Sequence, residues 1–92
     1  MYVILFYDIS SSDEKEKNNA NRIRKLVEKY LPRVQYSVFE GEIRESDFRK
    51  LTHELKKLIH AELDSIVIYK FKKLSYTERQ VIGVDKNEPL FS

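Results

Sequence analysis

Apolar residues run without interruption from Tyr2 to Tyr7, and Ile9 extends the run before the polar Ser10–Ser11–Ser12. The segment is short, aromatic and β-branched, so it reads as a strand over Tyr2–Ile9. Val3, Leu5, Tyr7 and Ile9 fall on one face, and Tyr2, Ile4, Phe6 and Asp8 on the other. A strand apolar on both faces is expected at the centre of a sheet, covered twice. Asp64–Phe71 (Asp-Ser-Ile-Val-Ile-Tyr-Lys-Phe) has the same character and predicts a second buried strand. Between the two, the period changes. Ile23, Leu26, Val27, Tyr30 and Leu31 recur at i, i+3, i+4, i+7 and i+8, a helical stripe that Pro32 ends. Ser11-x-x-Glu14 resembles a capping box for this helix, and Asn18 or Asn19 is an alternative cap.

A second helix is predicted from about Asp47 to His60, with Ser46 as N-cap and Phe48, Leu51, Leu55, Leu58 and Ile59 as its apolar stripe. Arg33–Ile43 is extended in composition and carries no Asn-Gly or Pro-Gly, so periodicity predicts one long strand broken near Gly41. A short strand is expected at about Arg79–Val84, and Leu90–Phe91 ends a polar tail. The order β-α-β-α-β-β places both helices on one face of a small sheet. The other face then has no cover within the chain. Tyr2, Phe6, Tyr36, Tyr69 and Phe71 are expected to bury against a second copy, making a homodimer.

Composition narrows the class. Ninety-two residues, 41% hydrophobic and 35% charged, describe one domain over residues 1–92, with about 85–92 as a C-terminal tail. No run approaches the roughly 20 apolar residues of a membrane span. A signal peptide is not expected either, because the apolar run has no basic region before it. Zero cysteines exclude disulfides, zinc-thiolate sites, iron–sulfur clusters and a cysteine nucleophile, and a reducing cytoplasm is the expected compartment.

The formal net charge is only +2, but it is unevenly spread. Residues 15–33 carry seven Lys and Arg against two Glu; residues 34–48 carry one Arg against four acids; residues 49–73 carry seven basic groups against three acidic. Basic patches beside an acidic strip fit nucleic-acid contact with protein docking, although a Lys- and Glu-rich solvated surface gives the same count.

Candidate chemistry is sparse. The chain has no Gly-rich phosphate loop, no Gly-x-Ser-x-Gly and no metal-binding His pair at helical spacing. His53 and His60, seven apart among Lys56 and Lys57, are assigned no role. Asp8 stands out, closing a buried strand on the face assigned to the dimer. Taken alone it reads as a turn initiator that hydrogen-bonds the Ser10–Ser12 backbone. Near a two-fold axis it becomes one of two facing carboxylates, which cannot both stay ionised unless a cation bridges them. Two carboxylates and several waters suit Mg²⁺.

Tyr-Val-Ile-Leu-Phe-Tyr-Asp-Ile (2–9), a basic helix, Arg-Val-Gln-Tyr-Ser-Val-Phe-Glu-Gly (33–41), Asp-Ser-Ile-Val-Ile-Tyr (64–69) and Val-Ile-Gly (81–83) together resemble the CRISPR-associated Cas2 family, over nearly the whole chain. The resemblance implies an α+β, ferredoxin-like βαββαβ sandwich with an added C-terminal strand, and it splits 33–43 into a tight hairpin near Ser37. It also implies a face-to-face homodimer, with Asp8 as the catalytic, metal-linked aspartate. By position, Arg22, Arg33, Ser37 and Phe39 match residues that the family ties to nucleic-acid cleavage. The basic run of helix one (Lys15, Lys17, Arg22, Arg24) joins them as a nucleic-acid surface.

Three functions follow. The first is a Mg²⁺-dependent endonuclease on single-stranded RNA or duplex DNA, acting in CRISPR spacer acquisition. The second is a non-catalytic DNA-bridging dimer that scaffolds the CRISPR integrase. The third, which sets the resemblance aside, is a small metabolite-binding regulatory dimer, which no Gly or polar cluster in the sequence supports.

Overall fold

The computed structural model describes residues 1–9, 14–60 and 62–84. The elements run β1 (Tyr2–Asp8), α1 (Glu14–Glu28), β2 (Arg33–Gln35), β3 (Val38–Glu42), α2 (Glu45–Leu58) and β4 (Ser65–Phe71), followed by a short 3₁₀ turn at Leu74–Tyr76. The four strands form one sheet in the order β2-β3-β1-β4. β1 lies antiparallel to both β3 and β4. This is the βαββαβ sandwich that the resemblance implies. No helix among the described residues is long and apolar enough to cross a membrane.

The core forms where the helical stripes meet the inner face of the sheet. Val3 and Leu5 of β1 and Phe39 of β3 pack with Ile23, Leu26, Val27 and Leu31 from the first helix and its exit, and with Leu51 and Leu55 of α2. Phe39 is the largest of the fully buried side chains among the described residues. Asn19 does not cap α1 but sits inside it, buried, and its Nδ2 donates to the Leu58 carbonyl at 2.9 Å. That bond ties α1 to the C-terminal end of α2 and satisfies a carbonyl the helix leaves open. The proposed capping box begins at Ser11, outside the described residues.

The start of the second helix differs from the sequence reading. α2 starts at Glu45, so Ser46 lies in its first turn and Arg44 takes the cap position without a side-chain cap bond. Arg44 Nε instead pairs with Asp47 Oδ2 at 3.0 Å. Glu45 and Asp47 in the first turn and Lys56 and Lys57 in the last complement the helix dipole, which removes the need for a Ser cap.

The single strand predicted over 33–43 is a hairpin. Gln35 pairs with Val38, leaving Tyr36–Ser37 as a two-residue turn, and Arg33 pairs with Phe39, so the register shifts by one residue at Val34. Two-residue hairpins favour turns with positive φ, which is what Asn-Gly advertises. No described non-glycine residue has positive φ. The turn therefore belongs to the classes that splay the strands, and the irregularity at Val34 re-aligns them.

The outer face of the sheet corrects a second expectation. It is partly covered from within the chain, because residues 74–84 pass over it. Tyr2, Ile4, Phe6, Val38 and Glu40 face Leu74, Thr77, Arg79 and Val81 across a groove of about 290 Å³. Arg79 Nε bonds Glu40 Oε1 at 2.6 Å, with Glu40 only 7% exposed. Tyr2 is thereby reduced to 2% exposure, while Val67 at 47% and Tyr69 at 56% stay open. The strand expected at 79–84 does not form here: the segment joins no ladder and bends at Ile82–Gly83, where Gly83 takes a φ of 97°. β4, expected to be buried on both faces, is an edge strand whose outer face is exposed. Residues 85–92, including Leu90–Phe91, lie outside the described residues.

Two predictions arise from this packing. A Cβ on Gly41 would stand 2.9 Å from Cδ of the Pro32 ring. The ring cannot swing away, since the Pro32 carbonyl accepts a hydrogen bond from the Glu40 amide at 3.0 Å. Gly41→Ala should cost about 1–3 kcal/mol by urea denaturation, with the secondary structure unchanged. The second concerns Tyr2, whose buried hydroxyl finds no hydrogen-bond partner of good geometry. Burial, reinforced by the neighbouring Glu40 carboxylate, pushes its pKa above the ordinary 10.0. Tyr7 shifts the same way, mainly by burial. The unfolded chain then loses these protons first. Stability should hold below about pH 10 and fall as pH rises beyond it. Tyr2→Phe should reduce that alkaline slope in urea midpoints measured from pH 8 to 11.

Candidate nucleic-acid site at the Asp8 end of the sheet

β1 outruns its β3 partner. Its ladder with β3 stops at Phe6↔Val38, whereas its ladder with β4 continues to Asp8↔Ser65. Beyond Phe6 the hairpin turn takes over on that side, and the Tyr7 amide donates to the Ser37 carbonyl at 3.1 Å. Asp8 is therefore held by rigid backbone at an exposed strand end beside the turn. Its side chain shares the outer-face parity of Phe6, and among the described residues its carboxylate has no ion-pair or hydrogen-bond partner.

Asp8, Tyr7 and Ser37 line one hollow of about 260 Å³ with Asn21 and Arg24 of α1 and Tyr36 of the turn. Arg24 Nη1 also bonds Glu28 Oε1 at 3.2 Å. Arg33 stands behind the turn: its guanidinium carbon lies 5.0 Å from the Tyr36 ring centre, its Nε donates to the Gln35 carbonyl at 3.3 Å, and its Nη1 is 3.9 Å from Glu28. Tyr36 itself is 81% exposed. An exposed aromatic ring braced by Arg33 beside Arg24 offers a stacking surface for a base next to cations for a phosphate. Tyr7 closes the floor, stacked on Phe39 at 5.8 Å between ring centres.

The structure thus brings Asp8, Arg24, Arg33 and Ser37 to one end of the sheet. It does not bring the others. Phe39 is fully buried, and a side chain with no surface cannot bind nucleic acid. Its assignment is corrected to a structural one, as the floor under Tyr7. Arg22 is exposed, but two residues from Arg24 on a helix it points about 160° away around the axis. Lys15 and Lys17 lie in the first turns of α1, and their side chains fall outside what the structure describes. Asn21 and Tyr36 were not assigned to this site from the sequence. Tyr36 was readable as an aromatic between polar residues of the hairpin motif, whereas Asn21 carries no sequence signal of its own.

For a divalent cation, the carboxylate of Asp8 is a hard oxygen donor of the right kind. No group of three or more His, Asp or Glu side chains that could hold a metal occurs among the described residues. Among the described residues that line the hollow, Asp8 is the one carboxylate, so a Mg²⁺ site there would need a further donor.

The family model described as CRISPR associated protein Cas2 matches residues 1–79. A relative from Fusobacterium nucleatum, named CRISPR-associated endoribonuclease Cas2, is 39% identical over 88 residues, covering 96% of this chain and 82% of the relative. One of the same name from Dictyoglomus turgidum is 38% identical over 88 residues, covering 96% and 94%. The crystal structure of Streptococcus pyogenes Cas2 at pH 6.5 superposes with a TM-score of 0.77 at 29% identity, over 90% of this chain and all of that one. With its sandwich fold and the aspartate closing β1, the chain belongs to the CRISPR-associated Cas2 family.

Proposed function

We propose that this protein is a Mg²⁺-dependent endonuclease of CRISPR spacer acquisition, working in the cytoplasm as a homodimer that places two Asp8 carboxylates at one site. The observation that carries the reading is the position of Asp8. It is a carboxylate at a rigid strand end, without a partner among the described residues, on the same sheet face as the uncovered Phe6, Val67 and Tyr69. The names of the relatives support phosphodiester cleavage of RNA. Pairing two copies through the uncovered face turns a single ligand into two. Asp8 holds the cation, Arg24 and Arg33 offset the charge of the phosphates on either side of the scissile bond, and Tyr36 stacks a flanking base. Mg²⁺, when bound, supplies positive charge at the reacting phosphate and makes a water more acidic.

A second reading is a non-catalytic DNA-bridging dimer that scaffolds the CRISPR integrase. It is favoured by the sparse acid–base inventory, since no His or Lys among the described residues lines the Asp8 hollow. Asp8→Asn separates the two. The endonuclease reading expects cleavage of labelled single-stranded RNA or duplex DNA to require Mg²⁺ and to drop at least 100-fold in Asp8→Asn, with nucleic-acid affinity retained. Equal cleavage by parent and variant would assign the activity elsewhere. No cleavage by either, with both supporting integration by the integrase, would establish the scaffold.

The dimer has its own test. A few hundred Å² of apolar surface per copy, at about 25 cal/mol per Å², is worth several kcal/mol before association entropy. Sedimentation equilibrium should show a dimer at micromolar concentration. Val67→Glu with Tyr69→Glu should weaken it at least 100-fold without unfolding the protomer. A folded parent monomer throughout that range would refute the assembly.

A further inference from the structure

We infer that the outward face of α2 is a second binding surface for a nucleic-acid backbone, separate from the Asp8 hollow. The inference rests on the reading above only in taking nucleic acid as what this protein handles. Each residue of an α-helix turns the chain by about 100°. Ser46, Arg49, Lys50, His53, Lys56 and Lys57 therefore share an arc of about 120°, opposite the core stripe of Leu51 and Leu55. All six are exposed. Glu45 and Glu54 fall on either side of that arc, so the arc itself is of one sign. None of its four Lys and Arg makes an ion pair among the described residues, not even Lys50 with Glu54 one turn on.

Helix stability does not account for the arrangement. The dipole favours Lys56 and Lys57 in the last turn, but it disfavours Arg49 and Lys50 near the first. Opposite charges stand at i, i+4 only across the edges of this arc, Glu45 with Arg49 and Lys50 with Glu54, and neither pair closes an ion pair among the described residues. A polyanion accounts for all four. From Arg49 to Lys57 the helix advances about 12 Å, and a duplex carries one charge per roughly 1.7 Å of axis. Ser46, Arg49, Lys50 and His53 also frame a shallow depression in which a phosphate could seat. The arc contains no apolar or aromatic side chain. That argues for a phosphodiester backbone over a protein partner, because protein interfaces need buried anchors and are depleted in Lys. Contacts to phosphate alone predict no sequence preference.

The test is a combined variant, Arg49→Gln, Lys50→Gln, Lys56→Gln and Lys57→Gln, measured beside the parent. Binding to a 30-base-pair DNA duplex and to a single-stranded RNA of equal length is followed by fluorescence anisotropy from 50 to 300 mM salt. The proposal expects at least a tenfold loss of affinity at 50 mM salt. It also expects the slope of log affinity against log salt to become shallower by about 3. The larger change on duplex or on single strand identifies the source of the backbone. The substitutions are all exposed, so the melting temperature should hold; the pair Arg49→Gln with Lys50→Gln alone should give about half the slope change. Unchanged affinity and slope in a variant of a parent that binds would overturn this surface and leave the Asp8 reading standing. Displacement of the duplex by poly-glutamate at equal charge would also overturn it, in favour of an acidic protein. A parent that binds neither nucleic acid would take down both readings.

Discussion

A carboxylate removed from water in the middle of a strand must be paired or neutralised, and Glu40 is paired by Arg79, 39 residues further along the chain. Much of the architecture depends on that contact. Two helices can cover only one face of a four-stranded sheet, so the chain after β4 has to serve the other. The ion pair pins that segment over Tyr2 and Glu40. It covers one end of the outer face, accounts for the burial of Tyr2, and leaves Phe6, Val67 and Tyr69 for something else. Breaking one partner of such a buried pair is costly, of the order of 3–5 kcal/mol, because the other charge stays behind. The pair therefore fixes where the chain's own cover ends.

The parts of this fold that could be read from the sequence are those whose signal is periodic. The stripe Ile23–Leu31, the stripe Phe48–Leu58 and the two apolar strands all appear where the patterning puts them. The errors arise where a local signal was absent or was overruled. The hairpin at Tyr36–Ser37 uses no positive-φ residue, so no Asn-Gly could mark it; only the family resemblance did. Ser46 is a better cap than Arg44 by propensity, yet the charges at the two ends of α2 made a side-chain cap dispensable. Asn19 looked like a cap because Asn competes with helical backbone. Its actual partner, the Leu58 carbonyl, belongs to another helix. The cover given by residues 74–84 depends on a contact between β3 and the C-terminal segment, and nothing in either stretch announces it.

The site was readable in its chemistry and less so in its membership. Asp8 stands out because a carboxylate closing an apolar strand is unusual, and among the described residues it has no partner. Phe39 was named with the nucleic-acid residues because it lies inside the motif. A motif, however, records what a fold needs as well as what a ligand touches, and a residue on the inner face of β3 can only serve the fold. Arg22 and Arg24 were grouped by composition, whereas the helix sends them to different sides. Tyr36 reads from the sequence only as an aromatic to be covered by a second copy. The structure sets it at the tip of the hairpin over Arg33.

Three surfaces of this small domain carry different physics, and their separation is a consequence of the fold. The outer sheet face is apolar and flat, suited to a second copy of the same surface. The strand ends beside the hairpin turn gather a carboxylate, two arginines and an aromatic ring on rigid backbone, where a reacting group can be positioned. The helical layer turns its core stripe inward and is left with charge outside. In a chain this short no residue can belong to two of these at once, since strand parity and helical azimuth decide the side each faces. Asp8 is the nearest to an exception. It has the parity of the dimer face but the height of the strand end, so pairing two sheets also brings two carboxylates towards each other. On the proposed dimer, assembly and chemistry become one event, since among the described residues a protomer brings Asp8 as the one carboxylate of the hollow.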